Sequence, residues 1–554
     1  MTWNTEQTNF IDGKTVITAN YMNTLQGKVS ERVSVKDFGA SPLASASVNT
    51  AAIQAGINEV SSLGGGALFF PSGTYLVADS GSDIGGRSYG LLLKSNVALV
   101  GENGRTTVIK SAPGADMDLI TNDRSTPHTN ISLRNITLDG NADGTNTDLL
   151  GFNLWLSQVT NLELENVISQ YPEAWGLRIQ ASSFVQLSDI TCLHGTATNA
   201  DGIHFVDCNN VTGDNFNIYT EGDDGFVIEA INSDISDYSI TGVKVTSTSS
   251  RGILVFSDPD IVPAARNISN VNISGAVVKS CGGSGVVLQG ASFSNIKMDA
   301  VIEDCQDGLY VVPGTVSYTG TLKNSQFDVL VKDVDNYGVA ILTNYATYKN
   351  NVLNANVYNP GNNYPGIQVG GDYWTGNLVV DYNPNVDKTL FSAGVLIAGD
   401  FNSLKVTSFD AGNNLQFSSS AQDNSIEIGR LAGGVTSDLY FSSGATRNRL
   451  SGGTIAGAIA FNGTTGNLFN NVGGATFYGK KSLNFATLGT GDVVVAHGLT
   501  GTPAFINLTL QTSALAGHIQ PYVVDATNIT FRGWNAGGTL VTAGTYTINL
   551  DIRL

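Results

Sequence analysis

The chain has 554 residues, 64 of them Gly, with 42% hydrophobic and only 14% charged residues. Gly well above the typical ~7%, beside an ordinary apolar fraction, argues against disorder and nearly excludes an α-helical protein, because it implies many turns. The net charge of −19, from 47 acidic against 28 basic residues, repels nucleic acid and anionic membranes but leaves sugar chains as partners. There is no apolar run of membrane-spanning length, and the opening MTWNTEQTNFIDGK lacks the basic start and apolar stretch of a secretory signal. A soluble chain made in the cytoplasm is expected.

From the N-terminus, residues 1–32 form a short segment of their own. Residues 33–80 follow, where Ile53, Ile57 and Val60 fall on one side of a short helix expected to start at Asn49 and to stop at Gly64 to Gly66. With the strand expected at 67–70, this helix suits the cap that a stacked-repeat fold needs at its end. At 139–148, DGNADGTNTD has the look of a calcium loop through Asp139, Asn141, Asp143 and Gly144. Its twelfth position is Leu150 rather than Glu, so an insertion turn is the expectation. Cys192, Cys208, Cys281 and Cys305 lack zinc spacing and are too sparse for a disulfide scaffold, so they read as buried small side chains. We expect no metal and no cofactor.

The middle of the chain is repetitive. Gly-led strands recur as GFNLW (151–155), GLRIQ (176–180), GIHFV (202–206), GFVIE (225–229), GILVF (252–256), GVVLQ (285–289) and GLYVV (308–312). Between them run strands such as NLELENV (161–167) and FVQLSDI (184–190). Strands this short bury a face only against copies above and below, which is the physics of a parallel β-solenoid. The expected fold is therefore all-β, a right-handed parallel β-helix over residues 81–478. Residues one and three after each Gly are all apolar and should point inward, from Phe152/Leu154 to Leu309/Val311. Positions two and four after Gly, including Asn153, Trp155, Arg178, His204, Val206, Val227, Glu229, Leu254 and Val287, should then form an outward stripe. Copies at 402–406, 424–428, 448–452 and 467–471 extend the solenoid. Residues 479–554, with strands such as 504–510 and 545–554, read as a separate β-sandwich.

Chemistry concentrates in two neighbouring rungs, NADGIHF (199–205) and EGDDGFVI (221–228), where Asp201 and Asp223 are 22 residues, one turn, apart. Asp201, Asp223 and Asp224 should crowd one patch. Glycosidic bond hydrolysis needs one carboxyl kept protonated and another ionised, and crowding raises one pKa. Asp-Gly is also a common turn pair, so solvated turns are the competing reading. Glu229 is either a further acid or a solvated side chain. Trp155, Trp175 and Arg178 would bind sugar or line a contact between chains.

Asn199-Ala200-Asp201-Gly202 followed by Gly222-Asp223-Asp224-Gly225 resembles the polygalacturonase-type glycoside hydrolases. That resemblance implies Asp223 as general acid and Asp201 with Asp224 as the pair activating water, with inversion. The family's Gly-His-Gly is replaced by Ser250-Arg251-Gly252, and its Arg-x-Lys pair has no counterpart near 280–290. Polygalacturonate is thus a poor substrate candidate. His204 could take over the missing histidine's role, and Arg251 could orient Asp224. The segment 49–77 is similar to the N-terminal signature of pectate-lyase-like β-helices. Residues 12–29 resemble the anchoring segments of phage tail fibres and tailspikes, and the C-terminal strands resemble tailspike end domains. The resemblance implies a bacteriophage tailspike: a homotrimer joined to the phage tail through its N-terminus, carried on the virion and cleaving a capsule or O-antigen at the host surface. A polysaccharide lyase, with Arg178, His204 or Arg251 as base, and a non-catalytic sugar-binding adhesin are the alternatives.

Overall fold

The computed structural model describes residues 33–553 apart from 82–85, 143–150, 196–199, 221, 258–265, 313–319, 343–346, 362, 383–392, 463–466, 471, 473–475 and short stretches beyond 485. The expected anchoring segment 1–32, Asn199, Glu221 and most of the 139–148 loop lie outside the described residues.

Backbone pairing is parallel and residue-over-residue. One column of short strands runs from Tyr89–Leu93 and Asp118–Asn122 through Leu154–Ser157, Leu177–Gln180, Ile203–Val206, Phe226–Glu229 and Ile253–Phe256. It continues beyond residue 312 in Val339–Ile341, Ile367–Val369 and Ala393–Ile397, as far as Ala458–Asn462. A second column holds longer strands such as Val159–Gln170, Ser183–Leu193 and Asn209–Tyr219, which turn the chain without breaking the ladder. The whole is a parallel β-helix.

Asn makes those turns possible. Asn130, Asn161, Asn135 and Asn166 have φ between 50° and 62°, a left-handed conformation that Asn tolerates better than other side-chain-bearing residues. Their amides also stack from rung to rung: Asn161 donates to Asn130 Oδ1 at 3.0 Å and Asn166 to Asn135 Oδ1 at 2.8 Å. A buried ladder runs inside the later rungs. The Asn402 N–H donates to Asn424 Oδ1, Asn424 N–H to Asn448 Oδ1 and Asn448 N–H to Asn467 Oδ1, at 2.9 to 3.1 Å. Each of these amides also donates to a main-chain carbonyl one turn back, for example Asn424 to Gly399 O at 3.0 Å.

Several expectations need correction. The cap helix is Ala46–Ser62, not a helix starting at Asn49, because the Ser45 hydroxyl caps it by accepting the Val48 N–H. Asn49 instead lies buried inside it and accepts the Ser41 N–H at 2.9 Å. The first repeat is shifted by two: Leu177 pairs with Leu154 and Arg178 with Trp155. Asn153 therefore stands where later rungs have Gly. It is not outward but fully buried, donating to Leu138 O, Ser169 Oγ and Gln170 O. The inward pair of that rung is Leu154 and Leu156, both without exposure. The later copies at 402–406, 424–428 and 448–452 belong to the second column, their leading Asn forming the buried ladder.

The outward stripe is only partly a surface. His204, Val206, Val227, Glu229, Leu254 and Val287 are buried. Trp175 and Phe256 flank His204, with ring centroids 4.5 and 6.4 Å away. Val227, Leu254 and Val287 make a small apolar cluster of their own under Phe256 and Tyr310. All four cysteines are free and buried.

At the C-terminal end, Thr476–Phe485 pairs parallel with the last rung and antiparallel with Gly544–Arg553, which also pairs antiparallel with Phe505–Leu510. Asp492–Ala496, Asn528–Trp534 and His518–Val524 form a separate antiparallel sheet. No helix among the described residues is long and apolar enough to cross a membrane.

Replacing Asn424 by Leu strands the Asn402 N–H and the Gly399 carbonyl in a dry interior, so stability should fall by about 2–4 kcal/mol. Asn161→Gly at an exposed corner should stay within ~0.5 kcal/mol. Chemical denaturation of both variants checks the contrast.

Candidate active site

From Leu177–Gln180 to Ala393–Ile397 the strands of the first column carry a Gly at their start that lies against its neighbours. A Cβ on Gly202 would sit 2.5 Å from Ile218 Cγ2 and 2.7 Å from Gly225 O, and Gly225 is similarly enclosed by Val245 and Gly252 O. Only Gly lets the turn close this tightly, and the residue before it is held at the mouth of the turn. That position carries Asp201, Asp224 and Arg251 on successive rungs, since Gly202 N–H donates to Asp224 O and Gly225 N–H to Arg251 O.

The expected acids do converge. One oxygen from each of Asp201, Asp223 and Asp224 lies within 4.8 Å of the other two. Their surroundings differ. Asp201 is buried and accepts His204 Nδ1 at 2.8 Å and the Asp224 N–H at 3.1 Å. Asp224 is buried and accepts both the main-chain N–H and Nε of Arg251, at 2.8 and 2.9 Å. Asp223 is half-buried. Desolvation, then the charges of Asp224 and Asp201, push its carboxyl up to about 6, against a smaller pull from Arg251. Desolvation also raises Asp224, which the Arg251 guanidinium opposes.

His204 bridges two carboxylates, through Nδ1 to Asp201 and through Nε2 to Glu229 at 3.0 Å. Burial by itself would lower its pKa, but hydrogen bonds and charge from Asp201 and Glu229 win and raise it to about 9. The ring is therefore an imidazolium at neutral pH with both N–H groups committed. Glu229 is accordingly a partner of His204, not a solvated side chain. Asp201 and Asp224 are met by an imidazolium and a guanidinium, so a hard cation bridging the three carboxylates would have to compete with charges already in place.

Trp155, Trp175 and Arg178 also come together. The Arg178 guanidinium lies 4.7 Å from the Trp155 ring centroid and 4.5 Å from that of Trp175, which stacks on His204. Two further arginines, Arg87 and Arg124, reach the same aromatic group. Arg87 precedes a Gly-led strand, Gly90–Leu93, that the sequence reading did not single out, and Arg124 follows the strand Asp118–Asn122, which has no leading Gly.

Residues 32–254 match the family described as rhamnogalacturonase A/epimerase, pectate lyase-like. The matched segment covers less than half of the chain. A mannuronan C5-epimerase of Azotobacter vinelandii, AlgE5, is 39% identical over 121 residues, 21% of this chain and 12% of that protein. Alginate lyase 7 of the same organism is 37% identical over 123 residues, 21% of this chain and 14% of the lyase. The match thus spans less than a sixth of either relative's length. Among solved structures, the tailspike protein of E. coli bacteriophage HK620, in complex with a pentasaccharide, superposes with a TM-score of 0.50 at 13% identity, over 96% of this chain and 95% of that one.

The raised His204 pKa gives a signed prediction. A proton held more tightly in the folded state stabilises below the ordinary value of 6.5, and that stability is lost as pH rises through about 9. The melting temperature should fall across this window. His204→Gln should flatten that slope in calorimetric scans at a series of pH values.

Proposed function

We propose that this chain is a phage tailspike depolymerase that hydrolyses glycosidic bonds of a bacterial surface polysaccharide, capsule or O-antigen. The observation that carries the reading is the unequal treatment of three crowded carboxyls. Two are buried and bound to cations, while the third, Asp223, is half-buried with its pKa raised to about 6. A carboxyl that keeps its proton beside carboxyls held by cations is what acid/base cleavage of a glycoside uses. Asp223 donates its proton to the leaving oxygen. Asp224 and Asp201, held by Arg251 and His204, hold and deprotonate the attacking water. His204 and Arg251 position these two carboxylates, and Glu229 holds the far side of the imidazolium.

The oxygens of the three carboxyls are closer, within 4.8 Å, than the ~6.5–9.5 Å between the carboxyls of an inverting pair. This spacing gives no support to the inversion that the resemblance implies. NMR of the first anomer released is the measurement that decides it.

The tailspike part of the proposal draws on the fold shared with the HK620 protein along nearly the whole chain and on the resemblances of residues 12–29 and of the C-terminal strands. It brings with it a homotrimer attached to the phage tail by the N-terminus and acting at the host surface.

One observation favours a second reading, elimination by a lyase. Of the three candidate bases, His204 has both nitrogens committed and Arg251 is bound to Asp224. Arg178 is the one whose pKa is lowered, to about 10, by desolvation and by the nearby Arg124 and Arg87 against the pull of Glu229 and Asp201.

Incubation with a panel of host polysaccharides separates the readings. New reducing ends without ultraviolet absorption support hydrolysis, an absorbing double bond selects the lyase, and no cleavage of any panel member leaves an adhesin. For a hydrolase, Asp223→Asn should lower kcat by ~10²–10⁴-fold with little change in KM. Wild-type kcat should fall as pH rises through about 6, where Asp223 loses the proton it must give.

A further inference from the structure

Cys281 and Cys305 are set one above the other by the repeat. They are register partners on adjacent parallel strands, Asn267–Gln289 and Ser292–Val312, and both side chains are buried. The two positions before them pin that register: Lys279 Nζ binds Glu303 Oε2 at 2.6 Å, and the Ser280 hydroxyl donates to Asp304 Oδ2 at 2.9 Å. Partners in a parallel ladder lie ~4.8 Å apart, inside the roughly 4.4–6.8 Å between Cα atoms that a disulfide spans. Both thiols are free. Cys192 and Cys208 have no such partner. Cys192 stacks on Ser169 and Ile218, and Cys208 donates to the carbonyls of Ile179 and Val206 at 3.3 and 3.4 Å.

Contact between the two sulfurs divides their chemistry. The Cys305 S–H donates to Cys281 Sγ, which also receives a hydrogen bond from Thr248; the Cys281 thiol is lowered by these bonds against the effect of burial, and Cys305 is raised. Burial pushes Cys192 and Cys208 up to about 12 instead. Cys281 is thus the sulfur suited to attack, with Cys305 in reach to resolve the product. Access is narrow. Gly282 and Gly283 follow Cys281 and carry no side chain to cover it, and Gly282 is exposed. Cys281 and Cys305 themselves keep 4% and 3% of their surface. An opening this small suits a water-sized oxidant and excludes a peptide-sized disulfide.

We propose that Cys281 and Cys305 are a peroxide-sensitive pair that closes into a disulfide between adjacent rungs. The Cys281 thiolate attacks one oxygen of hydrogen peroxide, the O–O bond breaks, and Cys281 becomes a sulfenic acid while the other oxygen leaves as hydroxide and takes up the proton that Cys281 released. The Cys305 thiolate then attacks the Cys281 sulfur, the S–O bond breaks, and the hydroxide expelled takes up the proton from Cys305. Two thiols and one peroxide give one disulfide and two waters; each sulfur loses one electron and the peroxide gains both. The bridge fastens the rung behind the Arg251–Asp224 pair to the next one. A Cβ on Gly252 would sit 3.2 Å from Cys281 Sγ, and the Gly282 and Gly283 N–H groups donate to Thr248 O and Ser250 O at 2.9 and 2.7 Å. Nothing in this depends on which bond the acidic patch cleaves.

The test exposes the folded full chain to hydrogen peroxide, then unfolds it in an alkylating agent and maps its peptides by mass. Expected are two alkylated thiols in place of four and one cross-linked peptide pair joining Cys281 to Cys305, reversed by dithiothreitol. The bridge closes a loop of 24 residues, so the melting temperature should rise by about 2–6 °C on oxidation and return on reduction. Cys305→Ala should abolish both changes and let Cys281 proceed to the sulfinic acid, whereas Cys192→Ala should keep both. Glutathione disulfide should produce neither. Four free thiols after peroxide, acids at both cysteines without a bridge, a bridge that involves Cys192 or Cys208 or joins two chains, or one that forms only in denaturant would overturn the pair. Equal reaction with glutathione disulfide would overturn the peroxide assignment. The wild-type peptide map decides between these outcomes even where a variant fails to fold.

Discussion

A backbone that pairs parallel and in register forces each side chain to have its counterpart on the next rung as its nearest neighbour, about 4.8 Å away. Whatever chemistry a position carries is repeated or answered directly above and below. Apolar residues so stacked make the continuous core, and Asn stacked at the corners satisfies its own amides. Asp201, Asp224 and Arg251 stacked at the position before Gly set two carboxyls below one guanidinium. The acidic patch is therefore a local variation in the rule that builds the rest of the solenoid. Its precision comes from the ladder, because Gly202 and Gly225 clamp the residues before them against the neighbouring main chain.

That geometry also explains why charge is so unevenly treated within a few ångströms. Asp201 and Asp224 are carboxylates whose counter-charges come from the same stripe or the next rung. Asp223, one residue earlier, is half-buried and meets mostly like charge. The same sequence pair, Asp-Asp, thus yields one carboxyl anchored by Arg251 and one left more open, both raised by desolvation. Upstream, Arg87, Arg124 and Arg178 gather around Trp155.

Much of this was legible in the sequence wherever the repeat was strict. Leu177/Ile179, Ile203/Phe205 and Phe226/Ile228 announced both the column and its inward face. The one-turn spacing of Asp201 and Asp223 announced their meeting. Legibility failed where a different residue does the same work. Asn153 stands in for Gly by burying its amide among carbonyls, which shifted the first rung by two. Alternation distinguished inside from outside but said nothing of what covers the outside, so the burial of His204, Glu229 and Val227 was not foreseen. Arg87 and Arg124 lie outside the strands that the sequence reading singled out and join the site only because the early rungs stack beneath Trp155. The sequence reading placed Arg251 beside Asp224 and gave His204 a supporting role, but it could not reveal that His204 joins Asp201 to Glu229.

The buried Asn ladder has a consequence for how such a protein varies. Its members are separated by 22, 24 and 19 residues, yet the hydrogen bond joining them is nearly constant. The ladder fixes the rung spacing and is indifferent to the length of chain spent between rungs. Insertions can accumulate in the connecting loops, and entire rungs can be gained or lost by duplication, without redesigning any interface. The connections between rungs are thus free to diverge while the scaffold that they join is inherited intact.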